Sequence, residues 1–233
     1  MRTFCKTALT VVAVVLLASP ALAQRPQGRG FGGFGQTPGA ASLLANKSVQ
    51  DELKLSTDEV EKVSAPGKKL REKQRSMFSG LQGATQEQRQ EKMKELTDAA
   101  KTANEEAAKL AKDTLKPEQF KRFGQIELQV KGDAAFADEN VQKALAITDA
   151  EKDEIKKIRD DAATKIRELQ PARGQGGQRP AQGNRQETQT KVQALHKETM
   201  EKVVAVLTDS QKTQWKEMTG SPFEYKPDQM RGQ

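Results

Sequence analysis

The feature that most constrains this chain is a recurrence of its apolar and capping residues at a fixed interval of 92 positions. Val49, Gln50 and Leu53 recur as Val141, Gln142 and Leu145. Leu55, Ser56, Glu59 and Val63 recur as Ile147, Thr148, Glu151 and Ile155. Further on, Leu115, Gln119, Phe123 and Ile126 recur as Leu207, Gln211, Trp215 and Met218. Two separated blocks that share one offset predict a tandem duplication, with repeats at about 42–131 and 134–223.

Each repeat carries two helix starts of one kind, at Leu55–Glu59 and Leu115–Gln119, then at Ile147–Glu151 and Leu207–Gln211. Three of them have the capping-box pattern. A Ser or Thr accepts a hydrogen bond from the N3 amide, and a Glu or Gln at N3 reaches back to the cap amide. The caps are Ser56, Thr148 and Thr208. The fourth has Lys116, which cannot accept, followed by Pro117, whose missing N–H costs nothing at the first helical position. Leu55 with Val60, and Leu115 with Phe120, have hydrophobic-staple spacing. These motifs read as helix caps, not as catalytic residues.

Between the caps the apolar period is helical. Val60, Val63, Gly67, Leu70, Gln74 and Met77 step by three and four; so do Met93, Leu96, Ala100, Ala103, Ala107 and Leu110. The second repeat does the same with Ile155, Ile158, Ala162, Ile166 and Leu169, then with Val192, Leu195, Thr199, Val203 and Val206. Narrow stripes of this kind serve the seams of long helical hairpins. Pro66-Gly67 predicts a kink in the first of these helices. The first repeat turns within Phe78–Thr85, whereas the second spends Gln170–Gln186 on a Gly/Gln/Pro-rich loop expected to be flexible. Helices are expected over about Gln86–Asp113 and about Glu187–Val206, roughly 40 Å and 30 Å long at 1.5 Å per residue. The expected class is all-α, a tandem pair of elongated helical hairpins. Its core is thin: Leu, Ile, Val and Phe make up 35 of the 210 residues after position 23.

The ends read differently. Arg2 and Lys6 precede an apolar run from Ala8 to Ala18, and Ala21-Leu22-Ala23 closes it. This predicts a signal peptide over 1–23, cleaved near Ala23, and a periplasmic or secreted protein. The run is too short for a span of about 20 residues. Cys5, the sole Cys, would leave with the signal, so disulfides contribute nothing to stability. Residues 24–41 read as a disordered Gly-rich tether and residues 224–233 as a disordered tail. The letters Gly28-x-Gly30-x-x-Gly33 match a dinucleotide fingerprint, but no strand precedes them and no βαβ unit surrounds them.

The helix starts resemble those of the Spy/CpxP family of periplasmic proteins, whose motif is LTXXQ. Leu207-Thr-Asp-Ser-Gln211 is the nearest copy, and Leu115-Lys-Pro-Glu-Gln119 lacks only the Thr. The earlier pair carries Glu59 and Glu151 where the family has Gln. The resemblance implies an all-helical fold in which two protomers form a curved cradle. It also implies ATP-independent chaperone activity, or regulation of an envelope stress or metal-responsive sensor. Each repeat would correspond to one protomer, so the chain would form an intramolecular pseudo-dimer or a homodimer.

The residues support binding over catalysis. There is one His, His196, with Met200 one turn on; this reads as a surface or seam histidine, since metal coordination needs several converging donors. No nucleophile elbow, zincin or P-loop pattern occurs. The expectation is therefore a non-enzymatic protein with no catalytic residue, cofactor or metal. Lys68, Lys69, Arg71, Lys73 and Arg75 alternate with Leu70 and Met77, which predicts a basic–apolar face for unfolded or partly folded envelope proteins. Lys156, Lys157 and Arg159 cluster likewise beside Ile158. Alternative partners are a sensor domain or an anionic membrane surface. Export argues against nucleic acid. A structural, self-associating coiled coil is a further alternative.

Overall fold

The computed structural model describes residues 37–81, 83–169 and 182–227. The expected signal peptide, most of the tether, the centre of the second loop and the last residues lie outside that set. The described residues are mostly helical, with no strand among them, and none of their helices is long and apolar enough to cross a membrane.

In chain order the helices are α1 (Ala40–Leu44), α2 (Lys47–Glu52), α3 (Thr57–Ser79), α4 (Gln86–Thr114), α5 (Pro117–Lys131), α6 (Glu139–Ala144), α7 (Asp149–Leu169), α8 (Gln182–Val206) and α9 (Asp209–Thr219). A 3-10 segment, Gly132–Ala137, joins α5 to α6. Two antiparallel pairs dominate, α3 on α4 and α7 on α8. Each closes on its own apolar cluster. Leu43, Leu44, Val49, Val63, Phe123 and Ile126 centre the first. Phe136, Val141, Leu145, Ile155, Val203 and Trp215 centre the second, where the Phe136 and Trp215 rings meet at a tilt of 39° with centroids 4.5 Å apart. The helical stripes supply these clusters because positions three and four apart share a face.

The short helices end in a way composition does not advertise. The Leu55 amide donates to the Gln50 carbonyl and the Lys54 amide to that of Asp51; Ile147 and Ala146 do the same to Gln142 and Lys143. This is the Schellman pattern, which puts one residue in the left-handed region. That residue is Lys54 (φ 51°) in the first half and Ala146 (φ 49°) in the second, not Gly in either. Leu55 and Ile147 pack onto the two clusters just past this turn.

Three boundaries differ from the sequence expectation. The tether was expected to run to residue 41, yet Ala40 and Ala41 are buried in α1. Alanine is small enough for α1 to lie directly against α3. The flexible loop was expected to reach Gln186, yet α8 begins at Gln182, since Gly183 and Asn184 cost a helix only about 1 kcal/mol each or less. The tail was expected to be disordered over 224–233, yet residues 221–226 run over the first half. The Phe223 amide donates to Gln129 Oε1 at 2.7 Å, and Asn46 Nδ2 donates to the Lys226 carbonyl at 2.9 Å. Phe223 and Tyr225 cover the first cluster. As for Pro66, α3 is one continuous helix through it, and both Pro66 and Gly67 are buried.

Candidate functional site

The motif residues come together in pairs. In the second half the Thr208 hydroxyl accepts from the Gln211 amide, and Gln211 Oε1 accepts from the Thr208 amide at 2.8 Å. The other end of that side chain, Nε2, donates to Glu151 Oε2 at 3.1 Å, and Glu151 Oε2 in turn accepts from the Thr148 amide. One helix start therefore caps itself and ties down the other. Only an amide can do both, because a carboxylate has no donor. The first half is built likewise: Gln119 accepts from the Lys116 amide and donates to the Leu53 carbonyl at 3.1 Å. Ser56 and Glu59 form a reciprocal box, whereas Lys116 contributes no acceptor. Hydrogen bonds from the cap amides, Ser56 to Glu59 and Thr148 to Glu151, hold both carboxyl groups below their ordinary range. Leu115, Ile147 and Leu207 are buried beneath these starts. A box that the sequence stripes did not single out, Thr85 with Gln88, opens α4.

The expected basic–apolar face of α3 does not form one surface. Lys68, Lys69, Arg71, Lys73 and Arg75 are exposed, but Leu70 and Met77 are buried in the seam. The reason is rotational. Residues 70 and 77 are seven apart and fall on the inner stripe with Val63, so the cations take the remaining faces. The exposed apolar group of this hairpin is instead Phe78, 61% accessible, at the end of α3.

A second cluster was not expected. Asp133, on the 3-10 segment, lies 3.4 Å from Arg159 Nε of α7 and 3.3 Å from His196 Nδ1 of α8. An ionised carboxylate only accepts, so Nδ1 carries the proton that it shares with Asp133. Burial would raise the Asp133 carboxyl, but the hydrogen bond and charge of His196, with those of Arg159, hold it below its ordinary value. The hydrogen bond that His196 donates to Asp133 raises the imidazole against the opposing effect of burial. These groups line a cleft of about 640 Å³ with Lys131, Ala162, Ile166, Lys197 and Met200.

The equivalent positions 92 earlier are Ala41, Gly67 and Asn104. There Asn104 Oδ1 accepts from the Ala41 amide at 3.0 Å, and a Cβ on Gly67 would overlap the Ala41 carbonyl oxygen. The sequence pattern misses the ionic cluster because Asp133 falls between the repeats, Arg159 lies within a basic run, and His196 has no charged residue three or four positions away on its own helix. Aligning the halves at 92 would have found it, since three small or neutral positions become charged together. Among the described residues no group of three or more His, Cys, Asp or Glu is placed to hold a metal ion. No family model, curated protein or solved structure matches the chain.

Proposed function

We propose that the chain is an exported, non-enzymatic binding protein of the Spy/CpxP type, acting as an ATP-independent holdase for envelope proteins. The observation that carries this reading is the α3–α4 hairpin. Its outer side presents Lys68, Lys69, Arg71, Lys73 and Arg75 to solvent, and its end presents Phe78. Exposed cations draw acidic, unfolded chains by long-range attraction, and an exposed aromatic ring gives the encounter a short-range apolar hold. With Leu70 and Met77 in the seam, Phe78 takes the apolar part in capture.

The reading includes an intramolecular pseudo-dimer. Gln125 on α5 donates to the carbonyl of Glu217 at 3.5 Å, and Gln129 to that of Ser221 at 2.8 Å. Both pairs are 92 residues apart, so each residue meets its own equivalent. Two-fold interfaces have this property at their axis.

Stopped-flow capture of an unfolded acidic protein at two salt concentrations tests the reading. Capture should slow as salt rises, because exposed charges are screened beyond about 10 Å at 0.1 M. Reversing Lys69, Arg71 and Lys73 to Glu should slow capture, and Phe78→Ser should speed release. Equal rates in every arm would remove this hairpin from the mechanism and favour the sensor-partner reading.

A further inference from the structure

We propose that the cleft between α7, α8 and the 3-10 segment binds a small organic carboxylate with an aliphatic body, of the size and polarity of a medium-chain fatty acid anion. The inference does not rest on the holdase reading, since it concerns the other hairpin. Its volume, about 640 Å³, lies within the range of about 300–1,000 Å³ common for small-molecule sites. Its chemistry is two-sided. Ile166, Met200 and Ala162 give an apolar wall, while Arg159, Lys197 and His196 give nitrogen donors.

The one carboxylate lining the cleft does not cancel those donors. Asp133 engages Arg159 through Nε and His196 through Nδ1. That leaves the Arg159 terminal nitrogens and His196 Nε2 outside those two contacts, with the ammonium of Lys197 as a further positive charge. Lys131, also on the lining, is paired with Asp138 at 3.7 Å. An anionic head is thus matched in charge and an aliphatic body in polarity. A bare inorganic anion would leave the apolar wall unused, and a neutral alcohol would leave the cations unmatched.

The first half shows that the scaffold does not require a cleft. There α1 closes directly on α3 at Ala41 and Gly67. In the second half Asp133 and Arg159 occupy those two positions, 3.4 Å apart, and both line the cleft.

The experiment is titration of the full chain, by calorimetry and by amide chemical shifts, with octanoate below its micellar concentration, and in parallel with acetate, phosphate and 1-octanol. Octanoate should saturate one site and shift amides of α7, α8 and residues 132–134. Acetate, phosphate and octanol should each bind at least about tenfold more weakly, a difference of about 1.4 kcal/mol. Lys197→Glu lies on an exposed face of α8 and should weaken octanoate by about tenfold or more while leaving the circular dichroism unchanged. Ile166→Gln should weaken octanoate but not acetate, and Lys69→Glu, on the other hairpin, should change neither. Binding of phosphate or octanol as tight as that of octanoate would overturn the proposal. So would non-saturating uptake, or octanoate affinity unaffected by Lys197→Glu.

Discussion

The two halves of this molecule solve one packing problem in opposite ways. Each must seat a short segment against a long helical hairpin. In the first half the segment is α1, held by small residues: Ala41 against Gly67, with Ala103, Ala107 and Ala111 buried along α4. In the second half the segment is the 3-10 turn, held by an ion pair and a histidine, and α8 buries Val192, Thr199 and Val203 instead. Small residues permit close backbone approach and a dry contact. Charged residues need room for their donors and some water, because a dry ion pair costs more to desolvate than it regains. One scaffold therefore yields a closed joint at one end and an open cleft at the other.

The largest expected effect breaks the closed joint. Gly67→Ala would normally favour a helix by about 1 kcal/mol. Here the added Cβ has to displace Ala41, so a loss of about 1–3 kcal/mol is expected, the usual range for overpacking. Urea denaturation checks the sign; a stabilised protein would mean that α1 does not close on α3.

Asp133→Asn probes the open joint. It removes the charge from the centre of the cluster while keeping the shape. Arg159 and His196 are partly solvated, so the loss should be smaller, about 1 kcal/mol. The double variant Asp133→Asn, Arg159→Gln should cost less than the sum of the two singles, as expected for groups in contact. Strict additivity would mean the pair contributes nothing.

Caps sharpen the comparison at a third level. Thr208→Ala should cost about 1 kcal/mol, the usual cost of a lost N-cap acceptor. Lys116→Thr should be neutral or stabilising, because Lys116 offers none. Thermal midpoints that reverse this order would contradict the cap assignments. Lys54→Gly and Ala146→Gly test where the halves agree. Each removes a left-handed strain of about 1 kcal/mol, offset in part by the greater freedom of Gly in the unfolded chain, so a small gain of similar size is expected at both.

The smallest effect is on pH, because His196 is 47% accessible and its pairing is screened. Its folded value is raised, so its contribution is full below the ordinary His value of 6.5 and is lost as pH rises through the folded value. Asp133 is lowered, so its contribution is present above 3.8 and is lost as pH falls through the folded value. Thermal midpoints from pH 5 to 9 should decline on the alkaline side, and His196→Gln should flatten that decline. An unchanged slope would remove the histidine from the joint.

Much of the fold was legible because its signals are local. Helix α4 was expected over 86–113 and is found over Gln86–Thr114. The caps at Ser56, Thr148 and Thr208 carry the expected reciprocal bonds, since a capping box is complete within four residues. The basic–apolar face on α3 failed for an equally local reason. Alternation along the sequence does not make a mixed surface here, because Leu70 and Met77 belong to the buried stripe. Local patterns miss the second cluster because its members are far apart: Asp133 is 26 residues from Arg159 and 63 from His196.

Amino-acid order alone thus determined where α3, α4, α5, α7 and α9 start, which stripes the long helices bury and that the pattern recurs after 92 residues. Those properties depend on neighbours within one or two turns, where periodicity and hydrogen-bonding capacity can be read directly. Tertiary structure decided what the recurrence becomes. It seated Ala40 and Ala41 on a buried Gly67, and it drew Lys226 back across 180 residues to Asn46. It also gathered Asp133, Arg159 and His196 at the position where the first half is closed. Contacts of that range are fixed by how two packed surfaces fit in three dimensions, and nothing in the local sequence encodes which distant residue will fill the space.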